Sequence, residues 1–113
     1  MVNSRTKGKN GELRVTNLYK EIFKDAKRNY QSRGSVQDGP DVENTPYWIE
    51  VKTYNRFWGK AQSMVLARMA LDSKDRPAIL HVKENGQPPL VVMREDIWLD
   101  ALIGLYGQRR NEP

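Results

Sequence analysis

The run from Tyr47 to Tyr54 constrains the fold most, because it is rich in aromatic and β-branched residues that favour a strand. A strand directs successive side chains to opposite faces, which separates two sets: Tyr47, Ile49 and Val51 on one face, and Trp48, Glu50 and Lys52 on the other. Glu50 and Lys52 are therefore predicted to be neighbours on one face of a sheet.

Helical spacing and turn signals predict the other elements. They are a helix from Gly11 to about Lys27, a weak strand from Arg28 to Arg33, a strand at Asp41 to Glu43, a helix from about Lys60 to Ser73, strands at Ala78 to Val82 and Leu90 to Met93, and a closing helix containing Ile97, Trp98, Ala101, Leu102 and Leu105. The predicted order is α-β-β-β-α-β-β-α. It indicates an α/β fold with a central mixed sheet flanked by helices.

The chain of 113 residues contains no internal repeat and no linker rich in proline or glycine, which predicts a single domain over residues 1–113. The polar segments 1–10 and 107–113 offer little to bury, and we expect both to be flexible tails. Only 38% of the residues are hydrophobic. A homodimer would compensate for so small a core.

Several classes of function are disfavoured by residue content. The chain has no cysteine and one histidine, His81, so neither a thiolate zinc site nor a histidine cluster can form. His81 lies alone on a predicted strand and is expected to be structural. No apolar run is long enough to span a bilayer, and no apolar leader is present, so we expect a soluble cytoplasmic protein without a membrane partner.

The charge distribution points to a polyanionic partner. The formal net charge is +5 and the isoelectric point is about 9.6, and such a positive field favours encounter with nucleic acid. The segment 35–54 departs from this pattern, because it carries four acids (Asp38, Asp41, Glu43 and Glu50) and a single lysine. An acidic island in a basic protein is a candidate site.

Asp41 and Glu50 stand on successive strands of a predicted hairpin, which can bring their carboxylates to one edge of the sheet. Two adjacent carboxylates repel each other unless a cation lies between them, and hard oxygen ligands suit Mg²⁺ or Mn²⁺. Lys52 could then reach the attacking water or a phosphate oxygen. The alternative for Glu50 and Lys52 is an ordinary ion pair on a solvated strand face.

The complete string GPDVENTPYWIEVKTYN resembles the signature of the PD-(D/E)XK nuclease superfamily, with Pro40-Asp41 as its first half and Glu50-Val51-Lys52 as its second. The resemblance implies a restriction-endonuclease-like α-β-β-β-α-β core over residues 11–82. It also implies a metal-dependent DNA endonuclease in which Asp41 and Glu50 bind the divalent metal and Lys52 assists the nucleophilic water. We also count the backbone carbonyl of Val51 among the candidate metal ligands.

Glu12 falls in the apolar stripe of the first predicted helix, where an unpaired carboxylate is costly to bury. Gly8-x-x-Gly11-Glu12 resembles the start of Holliday-junction-resolvase-like members, in which such a glutamate completes the metal site. That branch implies a homodimer acting on branched DNA. The alternative is a carboxylate favoured by the dipole at a helix N-terminus.

Gln62 matches a site glutamine of some family members, or is merely a polar residue near a helix start.

Basic side chains flank these candidates and could contact DNA phosphates: Arg5, Lys7, Lys9, Arg14, Arg33, Arg56 and Lys60. Phe57 and Trp58 could stack on a splayed base, or could instead belong to the core or to a dimer contact. Two other functions remain open, a non-catalytic DNA-binding module on the same fold and a non-selective or RNA-directed nuclease. Dependence on divalent metal separates the module from the enzymes.

Overall fold

A computed structural model describes residues 4–29, 39–54, 61–73 and 76–107, with the side chains of residues 4–7, 61 and 62 outside that description. Its elements are α1 (Ser4–Lys20), β1 (Lys27–Arg28), β2 (Val42–Glu43), β3 (Trp48–Tyr54), α2 (Ala61–Ser73), β4 (Ala78–Glu84), β5 (Leu90–Val92) and α3 (Glu95–Tyr106). The predicted order of helices and strands is confirmed.

The sheet has five strands in the order β1-β2-β3-β4-β5. β3 and β4 run parallel with Trp48 opposite Ala78 and Tyr54 opposite Glu84, and the other neighbours are antiparallel. A parallel pair needs a crossover, and α2 provides it between β3 and β4. The protein is therefore an α/β domain with a mixed sheet, as the sequence predicted.

The alternation predicted for β3 separates two apolar clusters, one on each face of the sheet. Ile49 and Val51 pack with Val15 of α1, whereas Trp48 packs with Met69 of α2 and with Leu80 of β4. Ile49, Val15 and Leu80 are fully buried. Because neighbouring residues of one strand join different clusters, α1 and α2 cover opposite faces of the sheet.

The first helix differs from its prediction at both ends. It begins at Ser4, within the segment expected to be a tail, and it ends at Lys20 rather than near Lys27. The apolar spacing beyond Lys20 belongs to a turn, in which Phe23 N–H donates to Tyr19 O over 2.8 Å and Ala26 enters the core beside Val15. Ile22 keeps the three-and-four spacing of a helix that buries one apolar face, yet it is 73% exposed.

Gly11 accounts for the close approach of α1 to the sheet. A Cβ atom at this position would lie 3.1 Å from Thr53 Oγ1 and 3.5 Å from Val51 Cγ1 on β3. Glycine therefore allows the N-terminal half of α1 to lie directly on the strand that carries Glu50 and Lys52.

The strand predicted from Arg28 to Arg33 is present only as Lys27–Arg28, and residues 30–38 lie outside the described part of the chain. The hairpin, α2 and β4 occur close to their predicted bounds. Within the described residues, no helix is both long and apolar enough to cross a membrane.

Candidate functional site

A tight hairpin places Asp41 beside Glu50. Asp41 N–H donates to Ile49 O over 2.7 Å, and Val42 pairs with Ile49 across the two strands. Between them the chain turns through Asn44, whose φ of 68° lies in the left-handed region that asparagine tolerates better than most residues. The Asn44 side-chain amide donates to Asp25 O over 2.9 Å, which fixes the turn against the end of the α1–β1 connection.

The carboxylate of Asp41 is held by the strand that carries Glu50. Val51 N–H donates to Asp41 Oδ2 over 2.8 Å. Burial and then the negative charge of Glu50 raise the pKa of Asp41 from 3.8 to about 7, although the Val51 hydrogen bond and the charge of Lys52 favour ionisation. The two carboxyl groups lie within hydrogen-bonding reach of each other, so a negative charge on Glu50 disfavours a negative charge on Asp41.

Glu50 has a different partner on each of its two oxygen atoms. Trp48 Nε1 donates to Oε1 over 3.1 Å, and Lys52 Nζ lies 3.9 Å from Oε2. The side chains of Trp48, Glu50 and Lys52 share one strand face, as the two-residue period predicted. Lys52 retains 40% side-chain exposure, which leaves its ammonium accessible to a ligand.

These side chains open onto a groove of about 620 Å³ between the sheet and α2. Asp41, Trp48, Glu50 and Lys52 lie on the sheet side, and the helix contributes Met64, Val65, Arg68, Met69 and Asp72. Arg68 Nε donates to Asp72 Oδ2 over 2.8 Å. The groove thus combines an apolar floor, paired acids and two cationic side chains.

Glu12 approaches the same centre from α1. Its Oε1 accepts a hydrogen bond from Arg28 Nε over 2.7 Å, and both side chains are largely buried. Burial raises the pKa of Glu12, and the hydrogen bond from Arg28 opposes that shift. The negative charge of Asp41 raises this pKa further, whereas the positive charge of Lys52 lowers it. The predicted compensation for a carboxylate in the apolar stripe is therefore an arginine of β1.

The donor set suits a hard divalent ion. Asp41 and Glu50 offer carboxylate oxygens, and their mutual repulsion is what a cation would relieve. Mg²⁺ commonly takes one or two carboxylates and keeps several waters. The described residues contain no group of three or more acids, histidines or cysteines arranged to hold a metal ion.

The remaining predicted site residues divide by where they lie. Lys9 is exposed on α1, whereas Arg14 is half-buried, and within the described structure its Nη2 atom is buried without a hydrogen-bond partner. Glu43 is not one of the described residues lining the groove. Four predicted DNA contacts and aromatic candidates of the β3–α2 connection and of segment 30–38 lie outside the described residues, as does the last basic candidate: Arg33, Arg56, Phe57, Trp58 and Lys60. The side chains of Arg5, Lys7 and Gln62 also lie outside the description.

His81 lies on the opposite face of the sheet from the groove, because it pairs in register with Val51. Its Nε2 is 2.8 Å from the Tyr19 hydroxyl, and the two rings meet edge to face. Burial lowers the pKa of His81 to about 4, and the positive charge of Arg14 acts in the same direction. Burial in turn raises the pKa of Tyr19 to about 12. These contacts assign His81 to the packing between α1 and the sheet.

Three residues of this region were not predicted from the sequence to belong to the site: Trp48, Arg28 and Arg68. Trp48 could have been found, because it precedes Glu50 by two positions on one strand face. The contact of Arg28 with Glu12 depends on how α1 crosses β1, and the position of Arg68 depends on the rotation of α2. The sequence carries no local signal for either of these two.

The raised pKa of Asp41 predicts that the contribution of this carboxyl group to the stability of the metal-free protein falls as the pH rises. A group whose pKa is higher in the folded state binds its proton more tightly there, so its contribution is fully present below about pH 4 and is lost through about pH 7. We expect the free energy of unfolding of wild type, relative to Asp41→Asn, to fall across this window. Urea titrations in EDTA at four pH values would measure it. A difference in the free energy of unfolding that does not change with pH contradicts the prediction. The titration of His81 occurs in both proteins and therefore cancels in this difference.

Comparison of the chain with protein-family models, with curated proteins and with solved structures found no match. The assignment of a function therefore depends on the geometry of the groove and on the residues that line it.

Proposed function

We propose that the protein is a metal-dependent DNA endonuclease of the PD-(D/E)XK superfamily. The observation that carries the proposal is the juxtaposition of Asp41 and Glu50 with Lys52 at the edge of one groove. In this proposal the elements from α1 to β4 form a restriction-endonuclease-like core. The order of those elements and the parallel pairing of β3 with β4 support it.

The proposed chemistry is hydrolysis of a phosphodiester by water. Asp41 and Glu50 would hold Mg²⁺ or Mn²⁺, and the Val51 carbonyl remains a candidate third ligand. The ion would supply charge neutralisation at the phosphate and lower the pKa of the attacking water. Lys52 lies 3.9 Å from Glu50, which places its ammonium next to the carboxylate pair, within reach of a phosphate oxygen or of the water bound there.

Glu12 of α1 is the third acid of this proposal. Its ion pair with Arg28 holds its carboxylate where the charge of Asp41 acts on it. An exchange of partners, in which Arg28 turns to a DNA phosphate and Glu12 to the ion, would complete the site in the manner of resolvase-like members. The charges of Asp41 and Lys52 already act on Glu12, and this proximity supports the assignment.

DNA is the proposed substrate because the chain is basic and the groove is open. The formal net charge of +5 favours a polyanion, and Lys52 and Arg68 both face the groove beside the acids. Contacts of this kind bind the phosphate backbone without reading bases. We propose branched DNA, such as a Holliday junction, as the preferred substrate, in keeping with the resolvase-like features around Glu12.

Cleavage of a labelled four-way junction and of its matched linear duplex tests the proposal. Both substrates are incubated with Mg²⁺, with Mn²⁺ and with EDTA. We expect symmetric nicks in the junction that require metal. Cutting of both substrates would support nuclease activity and contradict the preference for branched DNA. Cutting of an RNA substrate tested in parallel would indicate a ribonuclease. Binding of DNA without any metal-dependent cutting contradicts the proposal and favours a non-catalytic binding module.

We further propose that two copies form a homodimer through β5 and α3. β5 is an edge strand of the sheet in the described residues, and its Leu90 and Val91 are more than half exposed. α3 is described throughout and buries none of its residues, although Trp98, Leu99 and Leu105 are apolar. It carries three acids and no basic residue, which disfavours DNA as the partner of this surface. Antiparallel pairing of two β5 strands would satisfy both exposed edges.

Val91→Arg is expected to disrupt this dimer, because it places a charge in the apolar contact. Sedimentation velocity should give wild type at about twice the 13.1 kDa chain mass and the variant near the chain mass. Leu71→Arg is the matched control, since Leu71 is 79% exposed on α2, away from β5. A monomeric wild type, or an unchanged Val91→Arg dimer, contradicts this interface.

A further inference from the structure

Trp48 is the most constrained aromatic side chain of the groove. It is 5% exposed and packs with Met69, Ala78 and Leu80 in the cluster beneath α2. Its backbone N–H donates to Pro77 O over 2.9 Å, which ties the start of β3 to the start of β4. The indole therefore has little freedom to rotate away from its observed position.

The one polar atom of this indole points at the candidate metal site. Nε1 donates to Glu50 Oε1 over 3.1 Å, within the ordinary range of an N–H···O hydrogen bond. An indole N–H can only donate, so it binds the carboxylate form of Glu50 without competing with it for a proton. The other oxygen of Glu50, Oε2, is left facing Lys52.

Arg76 lies over the face of the Trp48 ring. Its guanidinium carbon lies 4.9 Å from the ring centroid of Trp48. A cation over an indole face is attracted to the ring, and it also draws electron density from the N–H, which makes that group a stronger donor. Arg76 thus strengthens the hydrogen bond that the indole donates to Glu50.

We propose that Trp48 is a positioning residue for the metal site, which holds Glu50 Oε1 so that Oε2 remains available to a divalent ion shared with Asp41. This inference rests on the proposed function. Outer-shell partners of metal ligands orient those ligands, and their removal commonly costs about 10- to 100-fold in metal affinity or activity. A tryptophan that only filled the core would affect stability and leave the affinity for metal unchanged.

Trp48→Phe tests the proposal, because it retains an aromatic ring and removes the donor. Calorimetric titration with Mn²⁺ at constant pH should give binding about 10- to 100-fold weaker than in wild type. Tyr19→Phe is the matched control, since it also removes an aromatic hydrogen-bond donor, but on the face of the sheet opposite the groove, where the Tyr19 hydroxyl contacts His81. Its Mn²⁺ affinity should equal that of wild type. Cleavage rates as a function of Mn²⁺ concentration should show the same rightward shift for Trp48→Phe.

A second variant guards against a change in packing. Benzothienylalanine introduced at position 48 keeps the bicyclic shape and replaces the N–H by sulfur, so the cluster beneath α2 is preserved. We expect the same loss of Mn²⁺ affinity in this protein. If both variants bind Mn²⁺ as tightly as wild type, the positioning role of Trp48 is overturned, whereas the proposed nuclease function still stands. A wild type that neither binds Mn²⁺ nor cleaves DNA overturns the proposed function itself, together with this inference.

Discussion

Asp41→Asn and Glu50→Gln are each expected to lower metal-dependent DNA cleavage by about 10³-fold while changing DNA affinity only slightly. A metal ion supplies several kcal/mol of charge stabilisation in the transition state, and each 1.36 kcal/mol corresponds to a factor of ten in rate. Both substitutions keep shape and the local hydrogen bonds. An amide oxygen at position 41 can still accept from Val51 N–H, and one at position 50 can accept from Trp48 Nε1.

Single-turnover cleavage at saturating enzyme, with Mg²⁺ present, measures the rates of these variants. Fluorescence anisotropy of labelled junction DNA in Ca²⁺ measures binding separately. Glu21→Gln is the control, since Glu21 is exposed in the turn after α1 and the same loss of one negative charge there should change neither quantity. Cleavage at the wild-type rate by both groove variants would remove Asp41 and Glu50 from the site.

The same two substitutions should have opposite effects on the metal-free fold and on the reaction. Burial and the charge of Glu50 raise the pKa of Asp41 to about 7, which means that its ionised form is unfavourable in the folded protein without a cation. Removing that charge relieves repulsion and removes the proposed ligand. A site that is costly to the apo-protein and required for activity is typical of functional carboxylates.

Local signals in the sequence were sufficient to predict the strand β3 and its two faces. A two-residue period decides which side chains are neighbours along one strand, and this places Glu50 beside Lys52 without reference to the rest of the fold. The approach of Asp41 to Glu50 was also predictable, because a short hairpin links them and its turn contains Asn44. These contacts depend on residues close in the chain.

Contacts that depend on how helices lie against the sheet were not predictable. Glu12 pairs with Arg28 because α1 crosses β1, and no periodic pattern specifies that crossing. The end of α1 was predicted too late for a related reason. Phe23 and Ala26 keep a helical spacing, yet they reach the core through a turn that follows Lys20. A tertiary contact can satisfy an apolar pattern without continuing the helix.

Lys52→Met is expected to reduce single-turnover cleavage by about 10²- to 10³-fold, the cost of removing one preorganised electrostatic group. Unlike the two acid variants, it should keep its affinity for Mn²⁺ or bind slightly more tightly. The ammonium lies 3.9 Å from Glu50 Oε2, and its loss removes a cation that competes with the metal for that carboxylate. Methionine keeps the apolar stem of the side chain and ends where the ammonium of lysine begins.

Lys52→Arg separates the two roles proposed for this residue. Arginine retains the positive charge but does not release a proton in proteins, so it can stabilise a phosphate and cannot act as an acid or a base. An arginine variant that cleaves faster than the methionine variant indicates a charge contact with the phosphate. Equal loss in both indicates that Lys52 must exchange a proton with the attacking water, or that the forked guanidinium does not fit beside Glu50.

Lys24→Met provides the control for charge, because Lys24 is exposed in the turn after α1 and its loss lowers the net charge by the same amount. Any general weakening of DNA binding should therefore appear in both lysine variants, whereas the loss of cleavage should be confined to Lys52→Met. If Lys52→Met cleaved as fast as Lys24→Met at saturating DNA, the ammonium would have no part in the reaction. Lys52 would then be an ordinary partner of Glu50 on an exposed strand face, as the isolated Glu50-Val51-Lys52 triplet first allowed.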